Sequence, residues 1–242
     1  MNTLYDAFRL AFSMLSTLPI FQLHEFRAGI NGLSVMFYPL VGSILGLLLF
    51  TTHLLLTPLL EPTHLMVLIF ALYIIITGAL HLDGFADTLD GLLSYKPKIE
   101  ALKIMKDPHI GAMGVVFLIV LLTIKLSSFI HLEEMWHLIL IPMLSRYSVL
   151  IAIYFFPYIT NRGMATLAKR EFCKKHLLIA TLYTLLISLF FSNALILFIV
   201  ALVTALLVSR YFVKKFDGLN GDIYGFIIEF TEVTLLQVAL LL

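Results

Sequence analysis

Six of the seven aspartates in this chain fall in two stretches, four between positions 83 and 107 and two at 217 and 222. The first stretch opens His81-Leu82-Asp83-Gly84-Phe85-Ala86-Asp87-Thr88-Leu89-Asp90-Gly91, directly after an apolar run. Asp83, Asp87 and Asp90 are spaced i, i+4, i+7, so on a helix their side chains stack on one face, within about 40° of one another. Carboxylates that close repel one another and raise each other's pKa. A hard cation relieves the repulsion, and clustered carboxylate oxygens suit Mg²⁺, which keeps part of its water shell and often binds substrate phosphates. Asp83, Asp87 and Asp90 are therefore the expected metal ligands and catalytic acids. Two other readings use the same residues: a solvated helix end, and an acid-lined cation pathway through a membrane.

Lys103, Lys106 and Asp107-Pro108-His109-Ile110-Gly111-Ala112-Met113-Gly114 follow. Asp107 before Pro108 reads as an N-cap and N1 pair opening the next helix. A glycine-rich helix N-terminus also attracts phosphate, and the two lysines add positive charge. The second stretch is Asp217-Gly218-Leu219-Asn220-Gly221-Asp222-Ile223-Tyr224-Gly225, leading to Glu229 and Glu232. Asp222, Glu229 and Glu232 share a helical face at i, i+7 and i+10. Glu229 and Glu232 lie within an apolar run, each costing about 2.5–3.5 kcal/mol at a bilayer centre. Lys125 and Arg146 are the basic residues in the interior of such runs and are their expected partners. A buried structural network and contact with substrate both remain open for these four.

The elements that must position these groups are apolar. The 242 residues are 61% hydrophobic and 13% charged, with mean hydropathy +1.02, which excludes a soluble globular enzyme and a disordered chain alike. A formal charge of +1 gives no field to recruit nucleic acid. Cys173, the single cysteine, leaves no internal disulfide and no cysteine zinc site. A crossing needs about 20 helical residues. Windows at 33–56, 64–82, 108–130, 138–157, 177–191, 194–213 and 222–242 approach that length, giving an all-α polytopic bundle of about seven transmembrane helices. Residues 1–21 are expected to form an amphipathic interfacial helix, and no signal peptide is read there. Loops 57–63, 131–137 and 192–193 hold no Lys or Arg. The N-terminal segment, 83–107, 158–176 and 210–221 hold fourteen of the sixteen. By the positive-inside rule these segments are cytoplasmic, and the aspartates sit at the cytoplasmic border. The chain reads as one domain, 1–242. Gly42 and Gly46 form a small-xxx-small packing pair. Trp136, in the His131–His137 segment, reads as an interfacial anchor. The run Lys169, Arg170, Lys174, Lys175 reads as a face against anionic membrane lipid.

His81-Leu82-Asp83-Gly84-x-x-Asp87-Thr88-x-Asp90-Gly91-x-x-Ser94 resembles the signature of the cobalamin synthase family, the adenosylcobinamide-GDP ribazoletransferases. Ile104-Met105-Lys106-Asp107-x-x-Ile110-Gly111-x-x-Gly114 is similar to a second family motif, and Gly221-Asp222-x-x-Gly225 with Glu229 and Glu232 to a third. Lys125 and the Ser145-Arg146 pair also match. Ile223 stands where the family commonly has threonine. The resemblance implies transfer of the corrin-side phosphoryl group of adenosylcobinamide-GDP to α-ribazole or its 5′-phosphate, releasing GMP. It further implies Mg²⁺, a multi-pass protein of the cell inner membrane with a cytoplasmic active face, and leaves room for a homo-oligomer. Asp83, Asp87, Asp90 and Asp107 would then supply metal ligands and a general base. His81, Lys103, Lys106, Lys125, Arg146, Asp222, Glu229 and Glu232 would contact substrate. A CDP-alcohol phosphotransferase has similar Asp-x-x-Asp-Gly spacing, but the Ala-Arg that follows in that family is absent after Asp90-Gly91. A cation transporter would place its acids nearer the midplane.

Overall fold

A computed structural model describes residues 3–19, 23, 27–159 and 164–242. The described residues form twelve helices: α1 (Thr3–Leu15), α2 (Asn31–Val35), α3 (Tyr38–Leu56), α4 (Pro62–Thr77), α5 (Leu80–Leu93), α6 (Lys98–Ile104), α7 (Ala112–Ile130), α8 (His137–Phe155), α9 (Met164–Glu171), α10 (Lys174–Ser188), α11 (Ala194–Phe216) and α12 (Gly221–Ala239). Among them the only extended pairing is an isolated bridge between Tyr158 and Leu219. The fold is the all-α bundle that the sequence implies.

The centre of the bundle is α8, buried on all sides from Leu138 to Ile153 except at Ile139. It packs against α3, α10, α11 and α12. Helix α3 approaches it backbone to backbone at Gly42 and Gly46. A Cβ on Gly42 would lie 2.4 Å from the Pro142 carbonyl oxygen, and one on Gly46 would lie 2.3 Å from that of Leu138. Pro142 lacks the N–H that Leu138 would otherwise receive, so Gly46 covers the one carbonyl that the proline leaves without its helical donor. The small-xxx-small reading of these glycines holds.

The expected count of seven crossings is not reproduced. Helices α3, α7, α8 and α11 are each long and apolar enough to span a bilayer. Helices α4 and α5 reach that standard only as a pair bent by 83°, so length and composition give four crossings, or five. The reasons are local. Gly78 and Ala79 both adopt left-handed backbone, φ 65° and 55°, which ends α4 and turns the chain into α5. Thr17, beyond α1, donates from its amide to the Ile76 carbonyl and from its hydroxyl to that of Ile75, satisfying acceptors the break exposes. Helix α10 has 15 residues, about 22 Å at 1.5 Å per residue. Helix α12 carries two glutamates in its middle. Helix α1 forms as expected and buries Ala7, Leu10, Ala11, Phe12 and Leu15 against α2 and α3; the rest of the 1–21 reading falls partly outside the described residues.

Candidate active site

Helices α5 and α12 cross at two glycines. A Cβ on Gly84 would sit 2.8 Å from the Asp222 carbonyl oxygen, and one on Gly225 would sit 3.1 Å from that of His81. Phe85 and Phe226 stack beside the crossing with centroids 5.0 Å apart. Glycine permits so close an approach, and its consequence is chemical: the α5 aspartates and Asp222, more than 130 residues apart, come to one site.

Asp83, exposed, Asp87 and Asp222, both half-buried, stand within electrostatic reach of one another. Burial, followed by the charges of Asp83, Asp222 and Asp90, pushes the Asp87 carboxyl up to about 6. Lys106 is the cation that bears on Asp222. Asn220 orients the start of α12, accepting from the Ile223 amide at 2.8 Å and donating to Asp222 Oδ2 at 3.1 Å. The Leu219–Pro157 and Ile159–Leu219 backbone bonds, 2.9 and 2.8 Å, fix the turn before it.

Asp90 has a different environment. Its Oδ2 accepts from the Gly111 amide at 2.7 Å and its Oδ1 from the Gly114 amide at 2.8 Å. A Cβ on either glycine would lie 2.4 Å from this carboxylate. The anion at the N-terminus of α7 is therefore supplied by the protein, where the sequence suggested a phosphate. Asp107 does not cap α7, which begins at Ala112. Asp107 is exposed and accepts from the His109 amide and ring, at 3.0 and 2.7 Å, and these bonds hold its carboxyl below the ordinary range. The capping role passes to Asp90 because a carboxylate on a packed neighbouring helix satisfies the same orphan amides. Lys103 and Lys106 are exposed on and just after α6, which Lys98 ties to the α11–α12 turn through Asp217 at 2.6 Å.

Below the aspartates lies a buried charge network. Lys125 contacts Glu229 Oε2 at 2.7 Å and Glu232 Oε1 at 2.6 Å, and Arg146 contacts Glu232 Oε2 at 2.8 Å. Tyr73 donates to Glu232 at 2.6 Å and accepts from Arg146 at 2.5 Å. The four charged residues are only 1–5% exposed and their charges cancel. The sequence paired these four correctly and missed Tyr73. Its signal was a phenol set inside an apolar run, where a hydroxyl needs a partner. His81, at the start of α5, lies in reach of Arg146, Glu232 and Lys125, and its Nε2 is buried without a hydrogen-bond partner.

Two further polar features have roles the sequence did not reveal. Glu171 at the end of α9 accepts from the amides of Gly29, Asn31 and Gly32 at 2.9–3.1 Å. Burial would raise its pKa, but these amides and the Asn31 side chain hold it below the ordinary value. Lys169 donates to the Ile153 and Tyr154 carbonyls at the end of α8. That part of the basic run is a helix cap. A cavity of 300 Å³ near His131, Glu134, Trp136 and His137 sits at the opposite ends of α7 and α12 from the aspartates.

Among the described residues no three acids, imidazoles or thiols converge as a ready-made metal site. Mg²⁺ is nonetheless commonly held through one or two carboxylates, with water and substrate phosphate completing the shell. The all-oxygen donors Asp83, Asp87 and Asp222 fit that requirement.

Fold and site together define a multi-pass helical membrane protein with a carboxylate site built at one end of the bundle by two crossing helices. Residues 7–240 match the model of the cobalamin-5-phosphate synthase family, and the chain belongs to that family. It is 34% identical over 234 residues to the adenosylcobinamide-GDP ribazoletransferase of Acinetobacter baumannii (strain ACICU), covering 95% of this chain and 94% of the relative. Identity to the proteins of the same name from Brevibacillus brevis and Clostridioides difficile is 34% over 211 residues and 31% over 218. Those matches cover 85% and 84% of this chain, and 86% and 85% of the relatives. No solved structure matches the chain.

Proposed function

We propose that this protein is an adenosylcobinamide-GDP ribazoletransferase. It joins the corrin-bearing phosphoryl group of adenosylcobinamide-GDP to a ribose hydroxyl of α-ribazole or its 5′-phosphate and releases GMP. The observation that carries this reading is the Gly84–Gly225 crossing, which brings Asp83, Asp87 and Asp222 together in a chain of this family. Helices suited to membrane crossing support a reaction at a membrane, and the Lys/Arg-rich loops favour a cytoplasmic-facing site, which we assign to the inner membrane as part of this reading.

Asp83 and Asp222, with Asp87 beside them, would hold Mg²⁺, which when bound supplies charge neutralisation on the diphosphate. Burial raises the proton affinity of both Asp87 and Asp222; with Asp83 and Asp222 given to the cation, Asp87 is left to accept the proton of the attacking hydroxyl. The ribose oxygen then bonds to the corrin-side phosphorus as the bond to the GMP oxygen breaks. Lys106, just beyond the short helix that carries Lys103, bears on phosphate oxygens. Asp90 is a positioning residue: by holding Gly111 and Gly114 it fixes α7 against α5. The network of Lys125, Arg146, Glu229 and Glu232 supports His81 and the α5–α12 crossing from below. Asp107, already engaged by His109, ranks after Asp87 as a base.

The test is an assay of detergent-solubilised protein with adenosylcobinamide-GDP, α-ribazole 5′-phosphate and Mg²⁺, following GMP and corrin product by chromatography. Mg²⁺-dependent GMP with a matching cobamide is the expected result. Folded protein that yields neither product overturns the proposal, and CDP-alcohol substrates would then be the next to assay.

A further inference from the structure

Where α11 meets α12 and α5, a groove of 330 Å³ is edged by Leu207, Val208 and Tyr211 of α11, Phe226 and Phe230 of α12, and Leu92 of α5. We propose that this groove holds one acyl chain of an anionic phospholipid whose phosphate rests on Lys214 and Lys215. The site goes beyond the reaction proposed above and does not depend on it.

The shape of the groove calls for a hydrocarbon chain. Its floor is Phe212 and Phe226, both buried, with ring centroids 5.1 Å apart and planes at 78°. Phe230 stacks on Phe226 at 5.5 Å. A floor of interlocked rings does not collapse to close the gap, and a gap left empty forfeits dispersion contacts along its length. Helix α11 is long and apolar enough to cross a bilayer, and Leu207, Tyr211 and Phe230 are exposed, so the medium against them is lipid. Apart from the Tyr211 hydroxyl the lining offers no hydrogen-bonding side chain, and a sugar or a nucleotide base would be stranded there.

Charge selects the headgroup. Lys214 follows Leu207 by seven residues and Tyr211 by three, and Lys215 follows Val208 by seven and Tyr211 by four. Both lysines therefore continue the groove side of α11, about 10–12 Å along its axis from Leu207. Both are exposed, and among the described residues neither pairs with an acid, whereas Lys98 and Lys125 do. An uncompensated lysine pair at the end of an apolar groove matches a phosphate above its acyl chain and favours lipids with net negative charge. A second copy of the chain suits this face less well. A two-fold interface would bring each lysine pair against its own twin, and Asp217, the next acid along the chain, is already taken by Lys98.

The groove also backs the carboxylate site. Phe226, in its floor, stacks on Phe85 at 5.0 Å beside the Gly84–Gly225 crossing. A chain in the groove thus supports the packing of α5 on α12 from the side away from α7.

The experiment uses the full chain in detergent mixed with equal amounts of phosphatidylglycerol and phosphatidylcholine, and native mass spectrometry counts the lipid retained per chain. Each lysine should contribute about five-fold to the preference, so wild type should hold one phosphatidylglycerol about twenty-fold over phosphatidylcholine. Lys214→Gln/Lys215→Gln should bring the two lipids to parity. Val208→Phe fills the groove without touching charge and should lose both lipids alike. Lys174→Gln/Lys175→Gln, at the start of α10, should retain phosphatidylglycerol as wild type does. Wild type that shows no preference between the lipids overturns the site. Undiminished phosphatidylglycerol on Lys214→Gln/Lys215→Gln at a native melting temperature also overturns it, and because both side chains are exposed this arm reads the site even where Val208→Phe fails to fold. Loss of phosphatidylglycerol on Lys174→Gln/Lys175→Gln places the lipid at α10 instead. A changed oligomeric state of Val208→Phe with lipid retention intact assigns the groove to a second copy, and either result overturns the proposal.

Discussion

The acids of this protein fall into two groups that differ in what surrounds them. Glu229 and Glu232 are buried, but each meets a cation within 2.7–2.8 Å, and Glu232 also receives the Tyr73 hydroxyl. Asp83, Asp87 and Asp222 are closer to solvent, yet they face one another, and Lys106 is the cation that bears on the cluster. The buried group is electrically complete and the border group is not. A carboxylate set left uncompensated by its own chain is suited to a cation and a polyanionic substrate, whereas a compensated one holds helices in register. Depth in the membrane is thus a poorer guide to chemical role here than the balance of charge around each acid.

The comparison breaks most sharply under neutralising substitutions. Asp83→Asn and Asp87→Asn should each lower the turnover rate by about 10²–10⁴-fold, while the melting temperature in detergent stays the same or rises because a repulsion is removed. A variant that retains near-normal turnover removes its residue from the reaction.

Arg146→Leu should show the reverse pattern. It leaves Glu232 with one cation and a phenol in a site that water does not reach, and breaking a buried pair costs about 3–5 kcal/mol. Thermal unfolding of the purified variant should show a large drop or no folded protein at all. Equal melting temperatures for Arg146→Leu and wild type would mean that the network is not what holds α4, α7, α8 and α12 together.

Asp90 tests the boundary between the groups. It belongs to the aspartate motif by sequence and to the satisfied acids by geometry. Asp90→Ala exposes two amides at the start of α7 and should cost about 1–3 kcal/mol, with activity falling alongside stability. If activity disappears while the melting temperature is unchanged, Asp90 acts on the substrate or the cation instead.

How much of this was legible beforehand follows from whether a partner is local. The i, i+4, i+7 spacing, the apolar runs and the Gly42–Gly46 pair are local patterns, and each led to its element. The match of Lys125 and Arg146 to Glu229 and Glu232 was legible by scarcity, because few charges compete inside apolar runs. The start of α7 was misplaced by four residues, since its cap comes from Asp90 on a different helix and Asp107-Pro108 offered a good local substitute. The bend between α4 and α5 was not legible, because the left-handed backbone at Ala79 carries no signal in its residue type. Tyr73 and Glu171 were missed because their partners lie 159 and about 140 residues away.

Glu171 gives the smallest effect and the most direct reading of what satisfaction means for an acid. Its carboxylate gathers the amides of Gly29, Asn31 and Gly32 and so clamps the end of α9 to the start of α2. Its folded pKa lies below the ordinary 4.5, so the unfolded chain binds the proton more readily. The stabilisation is therefore full above the unfolded pKa and is lost as pH falls through the folded one. In Glu171→Gln one oxygen becomes a second donor aimed at amide donors, a loss of roughly 0.5–1 kcal/mol for a partly exposed group. Melting temperatures of wild type and Glu171→Gln should differ at pH 6 and converge as the pH is lowered below 4.5. A gap that stays constant down to pH 3 would mean that the clamp works by shape alone, and that the charge on Glu171 adds nothing to it.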